Sequence, residues 1–196
     1  MSDAPVASLI PTGFAALDVL LGGGWPTGVL TELLVPHPGG AELGLLCPAL
    51  ARLSGDAARG WVMLIAPPRL PYAPGLRGQG LVLERLVLVK VRQAPEALWA
   101  LDETLRAGAC AGVIAWAGTA ALPRHARPLL QRLHLLAGRQ TCWAVLVRAA
   151  RCRPERSPAR LRLELRTPAP DRLQVEVFRN GWRGAGAVTL ERCFPE

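Results

Sequence analysis

The chain of 196 residues is poor in lysine: Lys90 is the only one, beside 22 arginines. That bias is what a GC-rich coding sequence would produce unaided, and it leaves few residues able to grip a phosphate as a point charge. There is no run of about 18 apolar residues, so no membrane-spanning helix is expected. The opening MSDAPVASLIPTG lacks a cationic segment followed by an apolar one, so no secretory signal is expected. The cysteines (Cys47, Cys110, Cys142, Cys152, Cys193) form no CxxC pair and no zinc spacing. Three of them lie in apolar stretches, where a free thiol behaves as a small hydrophobe. His37, His125 and His134 are scattered with no Cys or acid at ligand spacing. The expectation is a soluble protein of the reducing cytoplasm, with no metal and no other cofactor. The chain also has no internal repeat and no low-complexity tract.

A hydrophobic content of 51% argues for a packed core, and the length suits one well-buried domain. The formal charge of +8 is uneven. Residues 1–147 carry 11 Arg and 1 Lys against 9 acids, whereas residues 148–196 carry 11 Arg against 6 acids. The last quarter therefore holds most of the excess, which raises nucleic acid or an acidic protein as a partner class.

Residues 1–9 read as a disordered arm, 10–147 as the core, and 148–196 as a basic loop and hairpin of the same domain. From Val29 onward, apolar runs alternate with helical patterns, the signature of a parallel sheet with crossover helices. Strands are predicted over Val29–Val35, Trp61–Ala66, Leu86–Val91, Gly112–Ala117 and Thr141–Val147, each apolar enough for burial on both faces. Helices are predicted over Phe14–Leu21, Ala41–Leu53 (kinked or broken at Pro48), Pro95–Arg106 and Arg127–Leu136. The loop Pro67–Gly80 has room for one helical turn. Arg160–Arg166 alternates strictly, with Leu161, Leu163 and Leu165 opposite Arg160, Arg162, Glu164 and Arg166. Leu173, Val175 and Val177 repeat that pattern after a proline turn, which predicts an antiparallel hairpin with one face on the core and one in solvent. A final strand is expected over Ala187–Arg192.

The segment IPTGFAALDVLLGGGWPTGVLTELL leads from a turn through a short helix and a glycine run into a buried strand. Pro36-His37-Pro38-Gly39-Gly40-Ala41-Glu42 follows, where a phosphate-binding loop should open the next helix. Such a loop needs Lys and then Ser or Thr after its last glycine, and here those places hold Ala41 and Glu42. A carboxylate at that helix start repels phosphate rather than binding it.

The order and spacing of Ile10-Pro11-Thr12-Gly13, Leu17-Asp18, Leu21-Gly22-Gly23-Gly24, Pro26-Thr27-Gly28 and Glu32-Leu33 resemble the start of the RecA-type ATPase core, and the similarity continues to about Leu122. Gly60-Trp61-Val62, Ala66-Pro67-Pro68, Leu70-Pro71-Tyr72-Ala73-Pro74, Glu96-Ala97-Leu98-Trp99-Ala100 and Arg106-Ala107-Gly108-Ala109-Cys110 narrow the resemblance to the truncated, SulA-related branch that includes ImuA. The resemblance implies a RecA-like α/β fold: a mostly parallel sheet with flanking helices and an antiparallel C-terminal hairpin. It also shows which catalytic positions are empty. Beyond Ala41 and Glu42, no acid stands in Ala66-Pro67-Pro68-Arg69, where the water-polarising residue belongs, or in Trp116-Ala117-Gly118, where the metal-supporting Asp belongs. Phosphoryl transfer rests on positioning and charge neutralisation, so the expectation is a pseudo-ATPase and no enzyme. Asp102-Glu103 reads as solvated charge, and Ser54 and Ser157 lack activating neighbours.

Two surfaces remain as binding candidates. The basic stretch Arg148–Arg166 offers Arg151, Arg153, Arg156, Arg160 and Arg162 to a partner or to weak, non-specific DNA contact; the alternative is a solvated loop whose arginines pair with acids. In the tail from Phe178 to Phe194, Trp182 and Arg183 are of the types enriched at interface hot spots, although Asn180-Gly181 also signals a tight turn that Trp182 could pack. Trp25, Trp61, Trp99, Trp116 and Trp143 read as core or half-buried, with Trp25 placed to fill the vacant nucleotide loop. The resemblance implies an accessory factor of damage-induced mutagenesis. It would bind ImuB or RecA, and through them serve an error-prone DNA polymerase. The SulA side of the branch implies a division inhibitor that binds FtsZ. No membrane partner is expected.

Overall fold

The computed structural model describes residues 8–39, 41–91, 93–118, 127–169 and 171–191. Ten strands and five helices alternate through them. Ser8 and Leu9, expected in a disordered arm, are held in place: β1 (Leu9–Ile10) pairs antiparallel with β2 (Trp25–Pro26), and Ser8 hydrogen bonds to Thr27. Between them α1 (Ala15–Leu21) is closed at Gly22 in the left-handed conformation. Gly24 is required where the chain doubles back: its φ is +138°, and a Cβ there would stand 2.2 Å from the Ile10 carbonyl oxygen.

The main sheet contains β3 (Val29–Val35), β4 (Trp61–Ile65), β5 (Leu86–Val89), β6 (Cys110–Trp116), β7 (Trp143–Ala149), β8 (Leu161–Ala169), β9 (Arg172–Asn180) and β10 (Gly186–Glu191). Their order is β10-β9-β8-β3-β7-β6-β4-β5. The six from β8 to β5 are parallel to one another, and β9 and β10 complete an antiparallel edge. This α/β sheet, mostly parallel with an antiparallel end, matches the layout expected from the sequence. β3 has sequence-distant neighbours on both sides, which makes its C-terminal end a topological switch point.

Helices cover both faces. On one, α2 (Glu42–Gly55) and α1 pack over Leu33, Val62, Leu64, Ile114 and Val145, and the same core continues beneath the hairpin to Leu163, Leu165, Val175 and Val177. On the other, α4 (Ala94–Ala107) and α5 (Arg127–Gln140) cover Leu30, Val113, Ala144 and Leu146, with Leu98, Leu101 and Leu105 as the buried stripe of α4. Each such leucine contributes about 1.5–3 kcal/mol through burial. The short helix α3 (Ala73–Gly78) is the turn expected within Pro67–Gly80.

Three expectations need correction. α2 runs unbroken through Pro48. The residue one turn earlier is Gly44, and the proline ring packs against the backbone of Gly13, where a Cβ would come within 2.5 Å of it. Asp102 is not solvated: it is buried and bridges α4 to α5, accepting from Arg132 at 2.7 Å and pairing with Arg106 at 2.9 Å. Trp61 and Trp99 are exposed rather than half-buried, at 48% and 66%.

Candidate functional site: a self-occupied loop and a C-terminal face

The loop after β3 lies at the carboxyl edge of the sheet, at its switch point, where open α/β sheets bind ligands. Pro36 and His37 are exposed, Pro38 and Gly39 are half-buried, and Ala41 and Glu42 are buried; Gly40 lies outside the described residues. The Glu42 side chain folds back over its own loop, where its Oε1 accepts the backbone N–H of Gly39. The same oxygen accepts the indole N–H of Trp116 at 2.9 Å. Trp116 ends β6, the position at which the resemblance placed a metal-supporting acid. A buried carboxylate is costly unless hydrogen bonded, and these two donors meet that need. Pro68, from the loop after β4, closes against Gly39. Lys90 follows β5, four strands from β3, or roughly 19 Å at the usual strand spacing. Trp25 does not fill this loop. It is fully buried at the opposite end of β3, its ring 5.9 Å from that of Trp143, which pairs with Val29.

The basic stretch contains a charge network. Glu32, wholly buried in β3, accepts from Arg162 Nε at 2.7 Å, from Ser157 Oγ at 2.7 Å and from Arg148 at 3.4 Å. Arg148 also bonds Glu155, and those two carboxylates outweigh the burial that opposes its charge, so its pKa is raised. Arg162 reaches the carbonyls of Cys152 and Arg153, both at 3.2 Å. Arg153 bridges Glu164 at 2.9 Å and Glu176 at 2.7 Å, and it stacks on Phe178 at 4.5 Å. The hydrogen bonds from Arg153 hold the Glu176 carboxyl below its ordinary range.

The second face of the hairpin is therefore not in solvent throughout. Arg162 and Glu164 are buried because residues 150–160 fold across them. Arg162 is withdrawn from any partner, Arg153 is committed to two glutamates, and Arg151 and Arg156 are exposed. Ser157 does have an acidic neighbour in Glu32, but both groups are sealed from solvent. The alternating pattern hid this network, yet a lone glutamate inside the apolar strand VLTELLV was a readable sign that buried cations must meet it.

Trp182 and Arg183 stand on the turn after β9, where Asn180 Oδ1 accepts both of their backbone N–H groups. The Trp182 ring is 37% exposed and carries the Arg160 guanidinium 5.0 Å from its centre. Arg183 lies across Gly22 at the end of α1. Together with β1 and β2 these residues border a cleft of about 250 Å³.

His134 Nδ1 accepts the Leu30 N–H at 3.2 Å, and burial, with Arg160 and Arg179 adding to it, lowers its pKa. The Cys47 thiol is pushed up to about 12 by burial. Among the described residues no three His, Cys, Asp or Glu side chains converge as metal ligands, and no helix is long and apolar enough to cross a membrane. Phe194, Cys193 and His125 lie outside the described residues.

No protein-family profile matches the chain. Over 102 residues, 52% of its length, it is 36% identical to the "Cell division inhibitor SulA" of Pseudomonas aeruginosa. The match spans 62% of that relative's own length, so over about half of its residues the chain is similar to a SulA.

Proposed function

We propose that the protein is a non-catalytic accessory factor of the bacterial SOS response, built on a RecA-like core that has given up ATP hydrolysis and acting in the cytoplasm through protein contacts. The observation that carries this reading is the Glu42 carboxylate seated in its own loop and held by Gly39 and Trp116. A loop filled by an internal anion, without a lysine, has neither room nor charge for a triphosphate. A mostly parallel α/β sheet whose switch-point loop is filled from within fits a platform for partners.

Within that class the first reading is the ImuA-like role in error-prone translesion synthesis, with ImuB or RecA as the direct partner. The sequence phrases from Gly60 to Cys110 and the basic last quarter support it. The second reading, a division inhibitor that binds FtsZ, is favoured by the similarity to SulA. Tagged protein is mixed with purified ImuB, RecA and FtsZ in turn, and co-purification is scored. Capture of ImuB or RecA, together with loss of damage-induced mutagenesis in a deletion strain, supports the first reading. Capture of FtsZ with filamentation on overexpression supports the second. Binding to none of the three refutes both.

A further inference from the structure

We infer that the cleft between β1, the end of α1 and the turn after β9 is a docking groove for a short acidic peptide segment with an apolar anchor. The inference rests on the accessory-factor reading and names the kind of partner element that this surface takes. The floor is apolar: Leu9, Leu21, Pro26 and Leu161 line it, and Trp182 forms a wall. A volume of about 250 Å³ suits one or two aliphatic side chains rather than a folded domain.

Two described guanidiniums stand beside the groove. Arg183 lies on one side, over Gly22, and Arg160 rises beside Trp182 on the other. Among the described residues lining the groove none is acidic. Arg183 also sits where the carbonyl end of α1 presents partial negative charge, which holds the guanidinium in position and leaves its outer edge for a carboxylate.

Gly22 makes this arrangement possible. A Cβ there would stand 2.5 Å from Arg183 Nε, so any side chain would expel the guanidinium from the groove wall. The glycine thus serves the helix terminus, with φ at +88°, and the groove together. Charge complementarity selects an acidic occupant, and the apolar floor selects a peptide over a nucleic acid strand. Base stacking on Trp182 is disfavoured because Arg160 already covers that ring.

The test uses the full chain and three fluorescein-labelled probes read by anisotropy. They are the peptide Glu-Glu-Leu-Leu-Glu-Glu, its counterpart with lysine in place of every glutamate, and an oligothymidine strand. The acidic peptide is expected to bind at least tenfold more tightly than the lysine peptide. Arg183→Glu is expected to reverse that order, and Leu9→Arg to abolish binding of the acidic peptide with the melting temperature unchanged. Equal binding of the two peptides, tighter binding of oligothymidine, or an Arg183→Glu protein that keeps the wild-type order would each overturn the inference.

Capture of ImuB, RecA and FtsZ by the same variants separates the two levels. If the wild-type protein captures a partner and Arg183→Glu captures it equally well, the groove is refuted and the accessory role stands. If the wild-type protein captures none, the accessory role falls, and the anisotropy order alone decides the groove.

Discussion

Replacing Glu32 by alanine is the most informative single perturbation of this fold. Glu32 is fully buried and is the only carboxylate described as facing the Arg162 side chain, which is itself 6% exposed. Arg148 keeps Glu155 when Glu32 is removed, and Arg162 keeps two carbonyl acceptors but loses its counter-charge. Removing one partner of a buried ion pair costs about 3–5 kcal/mol, because the remaining charge stays desolvated. Against a total stability of roughly 5–15 kcal/mol this is a large share. At about 2–4 °C per kcal/mol for a chain of this size, the melting temperature should fall by roughly 6–20 °C. Urea unfolding followed by tryptophan fluorescence gives the free energy directly. A double variant, Glu32→Leu with Arg162→Met, should recover part of the loss, since apolar substitutes for a buried pair are often neutral. If Glu32→Ala unfolds within about 1 kcal/mol of wild type, or the double variant is weaker than the single one, the buried-network account is wrong.

Titration with a fluorescent ATP analogue and Mg²⁺ should show no saturable binding in the low micromolar range, and Ala41→Lys with Glu42→Thr should still give negligible hydrolysis because the acidic positions stay empty. Any DNA binding should be weak, independent of sequence and steeply lost with added salt; Arg151→Ala with Arg156→Ala, both exposed positions, should reduce it, whereas a salt-insensitive complex would refute binding through phosphates. Because the folded pKa of His134 is lowered, its contribution to stability is complete above the ordinary histidine range and fades as pH falls through it. Melting at pH 7.5 and 5.5 should therefore show a drop that His134→Leu flattens, and an unchanged slope in the variant would count against this. Cys47, sealed by burial, should resist alkylation at pH 8 until the protein unfolds, so rapid labelling of the native protein at that residue would refute its placement.

Most strands and helices were legible because each carries a period that only one arrangement satisfies. Val29–Val35 is apolar except for Thr31 and Glu32, and it is buried on both faces, as predicted. The stripe of Leu98, Leu101 and Leu105 placed α4 within two residues at each end. What escaped was set by distant neighbours. Nothing local says that residues 150–160 will cover Arg162, or that α5 will bring Arg132 to Asp102. Ser8 and Leu9 looked like a free arm because a two-residue strand has no period to read; only the closure of Gly24 against Ile10 makes a partner for it. In the loop after β3 the lack of a lysine was plain from the sequence. The role of Trp116 was not, since its indole meets a carboxylate 74 positions away. An arginine-rich stretch read as a surface became an interior for Arg148 and Arg162, and Arg153 a half-exposed brace between two glutamates.

The carboxylate of Glu42 is tethered to the loop it occupies, and so its local concentration does not vary with metabolism. Free nucleotide, even at millimolar levels, would have to compete with a ligand that can never diffuse away. On the proposed reading, a loop in this state would not register the ratio of ATP to ADP, and no hydrolysis step would time the release of a partner. Any on–off control would then have to come from outside the fold, through how much of the chain is made, how quickly it is destroyed, and how many copies of its partner are present to be bound.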